Sequence, residues 1–334
     1  MSAHEEAIES FECFGSRCAA LVTGDGPTGS AREAARRARA LMLEWHGRFS
    51  RFSATSELSR LNADPRETVP ASALMIRLAQ AILAAGRASG GLVDSTLVRE
   101  ISAAGYSSDL GEPLALRDAL ARAPHRRAAA PAAQQRWRAI AVDPTAGTIT
   151  RPPGVMLDSG GIAKGLFGDV LAELLAGHAS FALDCAGDLR LGGSQHASRA
   201  VRVQSPFDQS ILHTFELRDA GVATSGIGRR SWAGADGRPA HHLLDPSTGA
   251  PAFTGIAQAT AIAPTALLAE VRAKAALLSG PRQAPSWLPD GGVIVLDDGS
   301  HHVFAPPARV ALAALAGLRP PAGSDSGLLD SAAA

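Results

Sequence analysis

The stretch "GVMLDSGGIAKGLFGDVLAELL", Gly154 to Leu175, reads as a strand, a glycine turn and a helix. The apolar run before Asp158 predicts a strand that delivers this aspartate to its end. Ser159, Gly160 and Gly161 then allow a tight turn with close backbone approach. A helix beginning after Ile162 points its free N–H groups and the positive end of its dipole back at the turn, which favours an anion there. Lys164 falls in the first helical turn, where a cation opposes the dipole unless an anion lies between them. The glycines at 160, 161, 165 and 168 do not form GxGxxG. GxxxxGK[ST] is also excluded, because Gly165 follows the lysine. Two readings stand at this point: a turn that holds a phosphate, or Gly-Gly as plain punctuation between strand and helix.

The rest of the chain narrows the choice. With 334 residues, 46% of them hydrophobic, there is enough material for a large core. The net charge of +0 supplies no global field for nucleic acid or an anionic membrane. Aromatic residues make up 4% of the chain, with a single tyrosine, so a stacking platform for single-stranded nucleic acid is not expected. The three cysteines, Cys13, Cys18 and Cys185, are too few and too scattered for a disulfide framework or a zinc knuckle. The N-terminal "MSAHEEAIESFECFG" lacks the basic and apolar regions of a signal peptide, and no apolar run reaches the roughly 18 residues of a membrane helix. A soluble cytoplasmic protein is expected. Of the 32 basic residues only two are lysines, Lys164 and Lys274. A lysine is a compact point charge suited to phosphate, whereas arginine is a planar fork.

Ser10 to Val22 alternates enough to predict a first strand. "SAREAARRARALMLEWHGRFS" follows as a helix with an arginine face best read as solvated. "PASALMIRLAQAILAAGRASGG" is a second helix ended by Gly90 and Gly91. A short helix then runs into an Ala/Pro/Arg-rich exposed loop at 124–135. "RAIAVDPTAGTITRPPGVMLD" predicts a hairpin, "FALDCAGDLRLGG" a strand and turn, and "RAVRVQSP" and "LHTFELRDAGVATSG" further strands. "TALLAEVRAKAALLSG" is a helix and "GGVIVLDDGSHHVF" a closing hairpin. Helices and antiparallel hairpins mix without strict βαβ alternation, so the fold class is α+β.

Several motifs occur in order: "FSRFSATSELSRLN" (49–62), "GGLVDSTL" (90–97), "DSGGIAKG", "CAGDLRLGG", "GVATSGIGRR" and "HHLLDPSTGAP". Each is weak alone; the ordered set resembles the FAD:protein FMN transferases, the ApbE-type flavin transferases, from about residue 11 to about residue 299. The resemblance implies one ApbE-like domain over residues 1–316; the stretch "PPAGSDSGLLDSAAA" predicts a disordered tail at 317–334. It also implies a reaction: FAD is bound, its pyrophosphate is broken with a divalent cation such as Mg²⁺, and FMN passes to a threonine of an acceptor flavoprotein. Such phosphoryl transfer needs positioning and charge neutralisation more than covalent help. The alternative is a homologue that binds or hydrolyses FAD without transfer.

The resemblance also assigns residues. Phe14, in "CFGS", stands where methionine is usual and is expected against the flavin. Phe52 matches an aromatic beside the isoalloxazine ring. Leu92, Val93, Asp94, Asp158, Lys164, Ser225 and Leu243 are implied FAD contacts, and the carbonyl of Gly161 an implied metal ligand. His242, in H-x-x-D-P, is the implied base for the acceptor hydroxyl, a role its near-neutral pKa suits. It is expected on an exposed turn, with Asp245 orienting either the histidine or the turn. Blander readings coexist: core packing for Phe14 and Phe52, helix capping for Asp94, an Asx-turn for Asp245. Thr224 and Gly226 could donate to phosphate beside Ser225.

The metal helix departs from the pattern. Where the family carries aspartate and, four residues later, threonine, "APTALLAEVRAKA" carries Glu270 and Lys274. Glutamate can still ligate Mg²⁺ at about 2.0–2.1 Å, but a protonated lysine cannot. Three outcomes are open. Glu270 and Gly161 hold Mg²⁺ with extra waters while Lys274 turns to a phosphate; the ammonium replaces part of the metal's charge; or the two residues form an i,i+4 pair worth about 0.3–0.5 kcal/mol and the site only binds flavin.

Overall fold

The computed structural model describes residues 5–107, 114–234 and 236–307, so the expected tail at 317–334 lies outside the described residues. Eight strands form the main sheet: β1 (Ala7–Cys13), β2 (Ser16–Thr23), β3 (Ser180–Cys185), β4 (Asp188–Gly192), β5 (Gly221–Gly226), β6 (Ile256–Ala263), β7 (Gly292–Leu296) and β8 (His301–Phe304). They lie side by side in chain order, and every neighbouring pair is antiparallel. The α+β expectation holds, with helices and antiparallel sheets together.

Period-two alternation explains how both faces are covered. Ala182, Leu191, Val222, Ile262 and Val293 face a two-stranded ribbon, Arg199–Gln204 with Ile211–Leu217, which contributes Val201, Val203 and Phe215. The alternate residues Ala223, Ala261 and Ile294 pack with the helix α4 (Ala266–Ser279, labelled here with α1 Ala31–Phe49, α2 Ala73–Ala88 and α3 Ala163–Leu175). Leu183 and Cys185 join a core built with α1, α2 and α3.

The helices start where the sequence says. Ser30 accepts the Glu33 N–H while the Glu33 carboxylate accepts the Ser30 N–H, a reciprocal cap on α1. Ala34, Ala38, Met42, Trp45 and Phe49 form its buried stripe, and Arg32, Arg36 and Arg39 are exposed as expected. Among the described residues no helix is long and apolar enough to cross a membrane.

Two local expectations are overturned. Ser10 to Val22 is not one strand but the hairpin β1–β2, with Cys13 opposite Ser16. Phe14 (φ 56°) and Gly15 (φ 66°) both take positive φ, as a tight two-residue hairpin turn requires. The segment before Asp158 joins no sheet. It is pinned instead by the amide of Asn62, which donates to the Leu157 carbonyl and accepts the Leu157 N–H, both at 2.8 Å. The loop at 124–135 is largely exposed, but it is tied down: Arg127 N–H donates to the Phe253 carbonyl and Ala129 N–H to that of Leu278.

Candidate active site

The α3–α4 contact builds the centre. A Cβ on Gly165 would lie 2.6 Å from the Leu267 Cα, so only glycine lets the start of α3 press against α4. Asp169 then caps α4 from outside, accepting the Ala266 and Leu267 N–H groups at 2.8 and 2.9 Å. By contrast, Gly160 and Gly161 avoid positive φ, and added methyls there would meet only ordinary contacts. The glycine that packing demands is thus Gly165, while the backbone at 160–161 stays open to close approach.

This contact gathers both lysines of the chain. Lys274 Nζ donates to Glu270 Oε1 at 2.9 Å, and the Gly165 N–H donates to Glu270 Oε2 at 2.9 Å. Lys164 Nζ lies 2.5 Å from Asp188 Oδ2, and the Thr224 N–H donates to Asp188 Oδ1 at 3.1 Å. Glu270 and Asp188 are almost wholly buried. Burial pushes the Glu270 carboxyl up, but Lys274, Lys164 and the Gly165 amide outweigh it and hold the pKa below the usual value. Burial likewise opposes the Lys164 ammonium, yet Asp188 and Glu270 hold its pKa above normal. Lys164 therefore stays charged inside the protein.

His242 faces this cationic group. It is half-buried rather than exposed, and its Nδ1 is buried without a hydrogen-bond partner among the described residues. Burial, together with the positive charges of Arg230 and Lys274, keeps its pKa well below the usual histidine value. The ring is a neutral imidazole near pH 7. Its neighbour His241 is core: the ring packs edge-on to Phe253 at 4.7 Å, and burial pushes its pKa down to about 3.

Asp245 does not orient His242. Its Oδ1 accepts from the Ser247 N–H, the Ser247 hydroxyl and the Ala130 N–H, and its Oδ2 accepts from Arg127 at 2.9 Å. It orders the turn and ties the 124–135 loop to it. Leu243 beside it is buried, as is Ser225 on β5.

A second group lies where the 94–96 and 158–160 segments meet, the Asp158 N–H donating to the Ser95 carbonyl at 2.8 Å. Asp94 Oδ1 accepts from the Thr96 N–H and hydroxyl, which is an Asx-turn and not a helix cap. Its Oδ2 is buried without a partner among the described residues. Asp158 Oδ1 accepts the Gly160 N–H at 3.0 Å. Leu92 and Val93 are buried, so only their main chain can meet a ligand.

The two aromatic candidates differ. Phe14 is half-buried, edge-on to His46 at 4.9 Å, and its carbonyl accepts from Arg230. Phe52 is 41% exposed, which rules out core packing. The Arg51 guanidinium lies 4.6 Å from its ring centre and 4.5 Å from that of Tyr106, and Tyr106 in turn stacks on Trp232. A cavity of about 570 Å³ whose lining includes the ion pairs Arg48–Glu57 and Arg66–Asp64 contains none of these residues.

The sequence reading missed Asp188 and Arg230, though both fall inside quoted motifs. The scarcity of lysine marks Lys164 as a charge that needs a partner when buried, but nothing along the chain says that Asp188 is that partner.

A divalent metal does not fit the donor set. Both Glu270 oxygens accept hydrogen bonds from Lys274 and the Gly165 amide, while Asp188 accepts the Thr224 N–H on Oδ1 and is ion-paired with Lys164 through Oδ2. No group of three or more His, Cys, Asp or Glu among the described residues could hold an ion. Lys274 cannot be the metal ligand expected at its position, and its Cε lies 3.6 Å from where a Cβ on Gly161 would stand.

Solved structures share this architecture. The ApbE protein of Thermotoga maritima matches with a TM-score of 0.72 at 22% identity, over 90% of this chain and 97% of its own. The apo form of the Pseudomonas stutzeri flavinyl transferase ApbE matches with a TM-score of 0.70 at 19% identity, over 91% and 96%. The model of the ApbE family matches residues 14–296, and the chain belongs to that family. Among curated relatives, the FAD:protein FMN transferase of Treponema pallidum is 33% identical over 141 residues, 38% of this chain and 39% of its own. That of Escherichia coli K12 is 28% identical over 149 residues, 43% and 42%. The chain thus aligns with about two fifths of the length of these relatives.

Proposed function

We propose that the protein transfers FMN from FAD to a threonine hydroxyl of an acceptor flavoprotein. One observation carries this reading: a neutral imidazole, His242, held with a free nitrogen beside Lys274 and Arg230. Attack of a hydroxyl on a phosphate needs an unprotonated base and cations around the phosphate, and these residues supply both. The threonine Oγ bonds to the FMN phosphorus, the bond from that phosphorus to the bridging oxygen breaks, AMP leaves with its electron pair, and the hydroxyl proton passes to His242. Lys164, Arg230 and the Gly161 amide meet the diphosphate; Asp94 through Oδ2 and Asp158 meet the rest of FAD, with Phe52 and Phe14 against the flavin. Ser225 and Leu243 line the site, and Asp245 holds the turn that carries His242.

The resemblance implies Mg²⁺ held by Gly161, Glu270 and Lys274. The occupied donor set argues against that arrangement, so no step here passes through a metal. We place the reaction in the cytoplasm, because all three cysteines are free and buried, as suits a reducing compartment. Residues 1–316 are taken as one domain.

The Glu270–Lys274 pair also favours a second reading, a protein that retains or hydrolyses FAD without transferring it. Incubation with FAD and an acceptor domain separates the two. Covalent flavin fluorescence on the acceptor in a denaturing gel supports transfer; AMP release or tight FAD retention with no labelled acceptor rejects it. Because His242 is neutral, the transfer rate is expected to stay flat as pH falls from 7.5 to 6.

A further inference from the structure

The two lysines are the feature with the clearest consequence. Arginine supplies every other basic side chain, yet both lysines converge on two buried acids at the α3–α4 contact. We propose that Lys274 is a resident cation: its ammonium, fixed on Glu270 over Gly161, replaces a divalent metal at the diphosphate, and the protein works without metal. For the identity of the diphosphate ligand this rests on the transferase reading above.

Three observations converge. Glu270 has no free oxygen, since Lys274 Nζ and the Gly165 N–H each take one. The Lys274 Cε lies 3.6 Å from where a Cβ on Gly161 would stand, which puts the lysine beside the residue whose carbonyl is the implied metal ligand. Asp188, the neighbouring buried acid, is closed by Lys164 and the Thr224 N–H. An ammonium brings one positive charge where Mg²⁺ brings two. Arg230 can supply the difference: it donates to the Phe14 carbonyl and has no carboxylate partner among the described residues. Glutamate in place of aspartate fits this arrangement, because one longer side chain reaches both the ammonium four residues on and the amide of Gly165.

The test uses Mn²⁺ as the probe, followed by electron paramagnetic resonance, on the wild-type full chain loaded with FAD. The expected result is no stoichiometric Mn²⁺, together with acceptor labelling in EDTA within about twofold of that in Mg²⁺. In Lys274→Thr, Glu270 loses its ammonium, so Tm is expected to fall by roughly 5–10 °C and to recover on adding Mg²⁺. Uptake of one Mn²⁺ per wild-type chain, or loss of labelling in EDTA, overturns the proposal. If Lys274→Thr does not fold, the wild-type Mn²⁺ titration still decides. If no acceptor is labelled with or without metal, the transferase reading fails, while Mn²⁺ binding continues to judge the resident cation separately.

Discussion

Asp94 and Glu270 are two carboxylates expected at one site, the first on FAD and the second on the metal, and the protein finishes them differently. Glu270 is saturated, with an ammonium on one oxygen and an amide on the other. Asp94 fills one oxygen with Thr96 and leaves the other buried and unpartnered. An acid whose hydrogen bonds are complete holds the framework and sets local charge. An acid left incomplete costs stability until something binds it. The first belongs to folding and the second to recognition.

The sharpest way to break this contrast is to remove the saturated acid. Glu270→Ala leaves Lys274 and the Gly165 N–H unpaired in the interior and is expected to cost about 3–5 kcal/mol, measured by urea denaturation. A loss under about 1 kcal/mol would mean that the pair is not closed in solution. Asp245 is likewise saturated, so Asp245→Ala should cost about 2–3 kcal/mol through the turn and loop it holds. Per folded molecule, transfer should stay within about threefold; a hundredfold loss would return Asp245 to the chemistry.

The buried histidines give a pH signature. His241 has a folded pKa of about 3 and an ordinary value of 6.5 when unfolded, so the unfolded chain binds a proton first. Its contribution is intact above pH 6.5 and falls as pH drops below that, by about 2 kcal/mol at pH 5. His241→Phe should flatten that part of the stability curve between pH 7 and 5. Smallest in stability is the unsaturated acid: Asp94→Asn should change unfolding free energy by under about 1 kcal/mol yet weaken FAD binding at least tenfold by calorimetry. The reverse pattern would assign Asp94 to the framework.

Much of this was legible in the sequence. The helix that starts at Ser30, the apolar stripe of α1, the helix at 73–88 and the closing hairpin follow from local chemistry alone. The β1–β2 turn was hidden because Phe14 takes a left-handed conformation that favours glycine or asparagine, and its pattern on either side reads as one strand. The segment before Asp158 looks like a strand because its residues are apolar, but its partner is a side chain from 95 residues earlier, Asn62. At the site, the motif residues were visible singly. The Glu270–Lys274 pair, four residues apart, was among the open readings; what could not be read was who meets whom across the fold: that Asp245 turns toward Arg127 instead of His242, and that Lys164 closes Asp188. Those are long-range pairings, and no spacing along the chain encodes them.

The central claim is that His242, beside the lysine-bearing α3–α4 contact, drives flavin transfer. The most direct test is the intact mass of an acceptor domain after incubation with FAD and either wild-type or His242→Ala protein. The account predicts that the wild type adds the mass of one FMN less water with one AMP released, while His242→Ala binds FAD normally and labels at least a hundredfold more slowly. Labelling by His242→Ala at the wild-type rate would contradict it.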